Sequence, residues 1–143
     1  MTFLIKFYVA FHLQGKFWPK FWFLDFEKAI SNAIKHVLRR NPPKILGCLF
    51  HHLQALYWHL TCKKGGLRGP YTSEPDFQMM AKMFFALAYV KLDDLDEFFR
   101  ELVSDNNLDQ RLKPFAQYFE ETWLGTPTKP PRFERDLWNV HER

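Results

Sequence analysis

Cysteine is scarce in this chain, and a long apolar run is absent. The two cysteines among the 143 residues, Cys48 and Cys62, are too few for a disulfide scaffold. One disulfide between them is an open alternative, but reduced thiols of an intracellular protein are the better default. No apolar run approaches the roughly 20 residues that cross a bilayer, so we expect no transmembrane helix. With six glycines and no low-complexity tract, collagen-like and linker sequences are also excluded.

Aromatic residues, by contrast, are abundant, and charge is unevenly distributed. Phe, Trp and Tyr make up 18% of the chain and hydrophobic residues 47%, which is typical of a globular protein with ample apolar surface. Residues 1–70 hold 11 basic and 2 acidic side chains, whereas residues 71–143 hold 9 basic and 14 acidic ones. The basic part can attract the phosphates of a nucleic acid. Charge alone favours a simpler interpretation, in which the two parts attract each other.

The first half of the chain has the pattern of a strand–helix–strand unit. Residues 20–24 and 44–50 are short apolar runs with strand propensity. Between them, residues 27–39 carry apolar side chains at helical spacing. The side chains predicted to face inward are Ile30, Ala33, Ile34, Val37 and Leu38. The unit has about the thirty residues of a parallel crossover, whose continuous apolar strands are expected to be covered on both faces.

The remainder of the chain is predicted to be mainly helical. The first predicted helix covers residues 51–61, and the second is capped by Ser73 and extends to Ala88. The third follows Asp93 and Asp94 and is expected to bury Leu95, Phe98, Phe99 and Leu102. The fourth covers residues 108–123. Pro114 must kink or restart the last of these, because it cannot donate the intrahelical hydrogen bond. An open loop is predicted over residues 63–70. Residues 125–135 are expected to be irregular, followed by a polar end.

Asp25 is the first candidate for a functional residue, because it follows the first strand directly. A carboxylate at the carboxyl end of a buried strand occupies the usual position of a ligand site in an α/β layer. A hard divalent cation would need further carboxylates next to it. The alternative is that Asp25 is only the N-cap of the next helix, and the pattern alone favours this alternative.

Cys48 and His51 form the second candidate, at the end of the second strand. Their spacing lets a thiolate and an imidazole converge, but zinc needs about four ligands, so the pair is half a site. The alternative, which the pattern favours, is a buried cysteine beside a histidine that caps a helix. The neighbouring His52 is expected to point away from His51 and to be exposed. The chain contains neither a G-x-S-x-G elbow nor a Walker loop, which counts against those hydrolase classes.

Several short motifs together resemble the Mutator-like element (MULE) transposases. They occur in order, at plausible spacing, over residues 20–143. The motifs are LDFEKA at 24–29, NAIK at 32–35, ILGC-x-x-H at 45–51, QAL at 54–56, LAYV at 87–90, YFEETWLG at 118–125, PRF at 131–133 and LWN at 137–139. Each motif is weak alone, but the set is specific.

The resemblance implies a DDE-type DNA transposase, whose ribonuclease-H-like core is interrupted by a helical insertion. In this family three acidic residues hold two divalent ions, Mg²⁺ or Mn²⁺, which promote in-line attack on a DNA phosphodiester. Asp25 corresponds to the family's second catalytic aspartate and would be a metal ligand. Cys48 and His51 correspond to a cysteine–histidine pair that follows this aspartate, and they are weaker candidates for the metal.

The chain departs from the family pattern at the other two acids. Residues 1–24 contain no acidic side chain, so the family's first aspartate is absent, and its catalytic glutamate belongs to a motif beyond the last match. One carboxylate cannot hold two metal ions, since Mg²⁺ demands near-octahedral oxygen ligation. We therefore expect a transposase fragment that is inactive alone and binds no cofactor stably. The alternative is a domesticated, non-enzymatic module that binds DNA or protein.

The expected fold class is α/β and mainly helical. The resemblance divides the chain into an unmatched aromatic and basic segment (1–19), a partial ribonuclease-H-like core (20–62), a helical insertion (63–125) and a Pro-rich irregular tail (126–143). A sheet of two or three strands leaves apolar faces uncovered, so we expect exposed aromatic surface that favours self-association or a protein partner. DNA binding through residues 1–70 would be weak. A nuclear location follows from the family, and no membrane contact is expected.

Overall fold

The computed structural model describes residues 20–38, 43–62, 66–104 and 108–143, and this part of the chain is mainly helical with one small sheet. The expected α/β, mainly helical class is confirmed at that level. The segment 1–19 lies outside the described residues. No helix in the described part is long and apolar enough to cross a membrane.

Two short strands form a parallel pair. Strand β1 (Phe21–Leu24) and strand β2 (Lys44–Gly47) pair in parallel, with Phe21 opposite Lys44 and Leu24 opposite Gly47. Helix α1 (Lys28–Val37) lies between them in sequence, so the predicted parallel strand–helix–strand unit is confirmed. The carboxyl ends of parallel strands lie at the same edge of a sheet, here called the carboxyl edge. The backbone N–H of Cys48 extends the pairing there by donating to the carbonyl of Leu24 at 2.9 Å.

The second strand is shorter than the sequence pattern predicted. It ends at Gly47, and helix α2 (Leu49–Cys62) begins two residues later. The N–H of His52 donates to the carbonyl of Cys48 at 3.0 Å, which closes the first helical turn. Leu49 and Phe50 therefore belong to the helix, because an apolar run alone does not distinguish a strand end from a buried helix start.

The expectation that apolar side chains cover both faces of the sheet is wrong for β1. Phe21 and Phe23 are 56% and 67% exposed, whereas Trp22 and Leu24, on the other face, are half-buried. Helix α1 is also only partly covered: Ile34 is buried, but Val37 is half exposed. A pair of four-residue strands is too narrow to cover the whole apolar stripe of a helix. The expected exposed aromatic surface is thus confirmed within the described residues.

The rest of the described chain is built from helices. They are α3 (Arg68–Ser73), α4 (Pro75–Ala86), α5 (Leu95–Ser104), α6 (Lys113–Phe119) and α7 (Arg135–Trp138), with 3₁₀ turns at Leu87–Tyr89 and Gln110–Leu112 and a π-helical turn at Glu120–Leu124. Ser73 is not the cap that was predicted, because it ends α3 and Glu74 is the N-cap of α4. The predicted loop is also shorter, since α3 already begins at Arg68. Pro114 lies in the first turn of α6, which confirms that it restarts the helix.

The main core lies among the helices and includes the C-terminal segment. Its fully buried members come chiefly from α2, α4, α5, α6 and the turns that follow them. Phe98 was predicted to be buried but is half exposed, while its neighbour Phe99 faces the core. Residues 126–143 were expected to form an irregular tail with a polar end. Instead, Phe133 joins the core, and Trp138 in α7 is completely buried.

Gly47 is the point where the C-terminal segment approaches the sheet. A Cβ at this position would lie 2.5 Å from Cζ of Phe26 and 2.6 Å from the backbone oxygen of Leu137. The guanidinium of Arg143 donates to the carbonyl oxygens of Gly47 at 2.8 Å and Leu137 at 2.6 Å. The start of α2 and the end of α7 are therefore held at the same edge of the sheet as Asp25.

We predict that Gly47→Ala lowers the free energy of unfolding by about 1–3 kcal/mol, because the added methyl group must displace backbone at Leu137. The measurement is urea unfolding followed by circular dichroism. Gly69→Ala is the matched control: a methyl group added there, in α3, would have no neighbouring atom within 4 Å, so the change should be neutral or stabilising by up to about 1 kcal/mol. Equal stability of Gly47→Ala and the wild type would contradict the close approach.

Candidate functional site

Asp25 and His51 lie side by side at the carboxyl edge of the sheet. Asp25 directly follows β1, and His51 lies in the first turn of α2. Oδ1 of Asp25 is 2.7 Å from Nδ1 of His51, although that nitrogen makes no well-aligned hydrogen bond. The side chain of Asp25 is 61% exposed and that of His51 is 40% exposed, so solvent reaches both side chains, although Nδ1 of His51 is itself buried. The two residues are distant in sequence, and parallel strand pairing brings them together.

The interpretation of Asp25 as a helix cap is wrong. The N-cap of α1 is Glu27, which makes no side-chain capping bond. Only the backbone carbonyl of Asp25 takes part in the local turn, by accepting from the N–H of Glu27 at 2.7 Å. The carboxylate faces His51 instead. This geometry favours the ligand-site interpretation of Asp25 over the cap.

Cys48 occupies the same edge, immediately after β2. It is half-buried and makes no disulfide. Within the described residues, no group of three or more His, Cys, Asp and Glu side chains is placed to hold a metal ion. One carboxylate, one imidazole and one thiol do not match the oxygen-rich set that a pair of Mg²⁺ ions requires. The described residues therefore offer a partial site and do not fit the two-ion centre of the resembled family.

A groove of about 730 Å³ is lined by residues of β1, α1, β2 and the C-terminal segment, and Asp25 is among them. The strands contribute Leu24, Lys44 and Ile45 to the lining. One wall is α1, and the other is residues 130–137. Charged side chains of both signs from these segments line the groove together with apolar residues.

The C-terminal wall of the groove is fixed by Arg135. Its guanidinium donates two hydrogen bonds to the carboxylate of Asp96 in α5, at 2.6 and 2.8 Å. Its Nε also donates to the carbonyl of Leu124 at 2.9 Å. A bidentate arginine–carboxylate pair holds its partners in one geometry. The groove wall is therefore tied to the helical core.

His52 was predicted to be exposed, and this prediction is wrong. Its side chain is completely buried, and both ring nitrogens lack a hydrogen-bond partner among the described residues. The ring stacks on Trp138 with 4.9 Å between centroids and meets the edge of Trp123 at 4.4 Å. Phe26 contacts the same ring at 5.8 Å. His52 faces inward because it lies about 100° around the helix from the exposed side of His51.

Burial, with a smaller contribution from the positive charge of Arg143, lowers the pKa of His52 to about 3. Arg143 is the charged group that acts on this ring, and the aromatic rings of Phe26, Trp123 and Trp138 pack against it. The folded protein therefore keeps His52 neutral, whereas the unfolded chain protonates it near its ordinary pKa of 6.5. Protonation favours the unfolded chain, so stability is greatest above pH 6.5 and falls as the pH drops toward 3.

We predict that His52 alone lowers the free energy of unfolding by about 2 kcal/mol between pH 7 and pH 5. His52→Leu should remove that part of the pH dependence. It should also raise stability at pH 7 by about 1 kcal/mol, since it removes buried polar atoms without partners. His36→Gln, on the exposed side of α1, is the control and should keep the wild-type pH dependence. Urea unfolding at several pH values measures both effects, and an unchanged slope in His52→Leu would contradict the buried neutral ring.

Several residues of this region carried no sequence signal. Arg143 lies far from Gly47 in sequence, and nothing in the pattern linked the two. Trp138 and His52 form a contact that no local periodicity indicates. An aromatic residue in the predicted polar end was the one available hint that this segment packs inward.

Comparisons with known proteins find no family model, no curated protein and no solved structure that matches this chain.

Proposed function

We propose that this chain carries the middle part of a MULE-type DNA transposase core, with Asp25 as its second catalytic aspartate. In this proposal, residues 20–62 are part of a ribonuclease-H-like core and the following helices are its insertion. In the intact family, the reaction is DNA transposition by metal-dependent phosphoryl transfer. The observation that carries the proposal is the contact of Asp25 with His51 at the carboxyl edge of two parallel strands.

Three features support this function together. Asp25 lies where α/β layers usually place a ligand, just beyond the carboxyl end of a strand. The residues that resemble the family's cysteine–histidine pair, Cys48 and His51, follow the neighbouring strand and lie at the same edge. The carboxylate of Asp25 is exposed and does not cap a helix, so it is available to a cation or a substrate.

The chain by itself is proposed to be catalytically inactive. Two-ion phosphoryl transfer needs carboxylates that clamp both the attacking and the leaving oxygen. Asp25 supplies one, and the described residues near it supply no further acids in a metal-binding group. His51 contributes an imidazole that contacts Asp25, but it does not replace the missing oxygen ligands.

A second candidate is a domesticated module that binds protein or DNA without catalysis. The observation that favours it is the exposure of large aromatic side chains. Phe23 of β1 and Phe50 of α2 are each about two-thirds exposed, and Trp58 is half exposed. Exposed apolar surface of this kind marks interaction sites when it is contiguous. The nuclear location that the family implies stays a prediction.

The first test asks whether the chain binds a divalent ion and at which residues. Substoichiometric Mn²⁺ is added to isotope-labelled protein, and the broadening of amide signals is recorded by NMR. We expect weak binding, with dissociation constants of about 10⁻³ M for so few ligands, and broadening first around Asp25 and His51. Asp25→Asn should abolish this pattern, while Asp136→Asn, another carboxylate in the groove, should preserve it. An unchanged pattern in Asp25→Asn would remove the support for a catalytic aspartate.

The second test asks whether the chain cleaves DNA. Supercoiled plasmid is incubated with the purified chain and Mg²⁺ or Mn²⁺, and the fraction of nicked plasmid is quantified by gel electrophoresis. Wild type and Asp25→Asn should give the same background. Nicking that remains with the protein through repeated chromatography and is lost in Asp25→Asn would show that the chain is active by itself. Salt-sensitive DNA binding without Mn²⁺ broadening at Asp25 would favour the non-catalytic module.

A further inference from the structure

Helix α2 presents a single uncharged line of side chains to solvent. Its exposed positions are Phe50, Gln54, Trp58 and Cys62, and every other position of the helix is half-buried or buried. Residues spaced by four form a continuous ridge on a helix, and these four are called the α2 ridge. The helix contains no Lys, Arg, Asp or Glu, and a helix without a charged face is normally buried on all sides. The ridge therefore has the composition of an interface.

Exposed apolar side chains on the neighbouring helices, by contrast, lie beside charged residues. Met83 of α4 follows Lys82, and Phe98 of α5 follows Glu97 and lies one turn from Glu101. Like charges would be brought together if two copies of the chain joined at either place. The α2 ridge carries no such charge on its own helix, so two copies of it can meet without that repulsion.

The α2 ridge is chemically symmetric about Gln54. An aromatic residue lies four positions before it, Phe50, and another lies four positions after it, Trp58. If a second α2 lies antiparallel, with the two Gln54 side chains facing each other, each Phe50 meets the Trp58 of the second copy. Aromatic pairs stabilise a contact beyond the area that they bury, and facing amides can donate to and accept from each other. A two-fold axis at Gln54 therefore matches every central side chain of the ridge with a suitable partner.

We propose that the α2 ridge is the contact surface of a homodimer, in which two α2 helices pack antiparallel about a two-fold axis at Gln54. The ridge has no charge that would select an acidic or a basic partner, and its chemistry matches its own reversed sequence. The ring of Phe50 meets that of His51 edge-on, with 5.4 Å between centroids, so the dimer contact adjoins the candidate site. The inference does not rest on the proposed function, because neither the charge pattern nor the symmetry of the ridge involves catalysis.

The area of the ridge predicts a weak dimer. Phe50 and Trp58 are 65% and 52% exposed. Because an aromatic side chain can bury roughly 150–250 Å², the four rings of two copies would bury about 500 Å². The flanks of the two helices add to this area, but the total stays below the roughly 1,200 Å² at which standard interfaces begin. We therefore expect a dissociation constant of about 10⁻⁴ M.

The first test is sedimentation equilibrium of the full chain at concentrations from about 10 μM to about 500 μM, which bracket that constant. The wild type should show a monomer–dimer equilibrium. Phe50→Gln combined with Trp58→Gln should weaken dimerisation at least about tenfold, because the central rings carry most of the binding. The matched control combines Phe23→Gln with Phe98→Gln, whose side chains are 67% and 50% exposed. Its effect should stay below about twofold.

Thermal unfolding of both double variants verifies that the fold is retained, which is expected because all four positions are exposed. A monomer at every concentration would overturn the proposal. Equal loss of dimer in the two double variants would also overturn it, because the association would then be general adhesion of exposed aromatic side chains.

Salt distinguishes the ridge from attraction between the basic and acidic parts of two copies. Dimerisation through an uncharged ridge should change by less than about twofold between about 50 mM and about 500 mM NaCl. A contact between oppositely charged surfaces would weaken strongly over the same range, since salt screens exposed charges. Strong weakening by salt would therefore overturn the ridge as the contact surface.

A cysteine placed at the two-fold axis tests the antiparallel register. Gln54→Cys combined with Cys62→Ser should form a disulfide-linked dimer on mild oxidation with diamide, because the two altered positions face each other. The wild type should not link through Cys62. That residue lies eight positions from the axis, which separates the two copies of it by about 24 Å along the helices. Linkage through Cys62 of the wild type, or none in the Gln54→Cys variant at concentrations where it dimerises, would overturn the register.

Discussion

The parallel pairing of β1 with β2 is the constraint on which the rest of the site depends. Parallel strands end at the same edge of a sheet, so the residues that follow Leu24 and Gly47 are neighbours although a helix separates them in sequence. This pairing brings Asp25 to His51. An antiparallel pair would have placed them at opposite edges. The pair is small, and its strands have no wide sheet around them in the described chain, so its geometry relies on what packs against its ends.

The C-terminal segment supplies that packing through aromatic contacts. Trp138 stacks on His52, and the edge of Trp123 meets the same ring, so the first turn of α2 is clamped against the helical core. Because His51 and His52 are adjacent, fixing His52 inward directs His51 outward to the carboxyl edge. Burying an imidazole without hydrogen bonds costs free energy. The aromatic contacts offset that cost, and the structure accepts a histidine at a position where an apolar residue would be more stable.

Sequence patterns predicted the helices and strands better than they predicted which side chains are buried. The strand–helix–strand unit, the helical second half and the restart at Pro114 follow from local periodicity and from proline chemistry, which act over a few residues. Exposure was predicted less well, because it depends on partners from distant parts of the chain. His52 is buried by Trp138, and Phe23 is exposed because no described element covers that face of β1. The role of Asp25 was ambiguous for the same reason: a cap and a ligand site have the same local sequence, and only the contact with His51 separates them.

The exposed face of β1 and the contact between Asp25 and His51 bear differently on the two proposals. Phe21 and Phe23 project from one face of the sheet, so further strands beside β1 would extend its edge and leave that face open. An element packed on the face, such as a protein partner, is what would cover the two rings. The exposed aromatics therefore fit either proposal. The contact of Asp25 with His51 at the carboxyl edge separates them, because the transposase proposal gives Asp25 a role there and a binding module gives no reason for the contact.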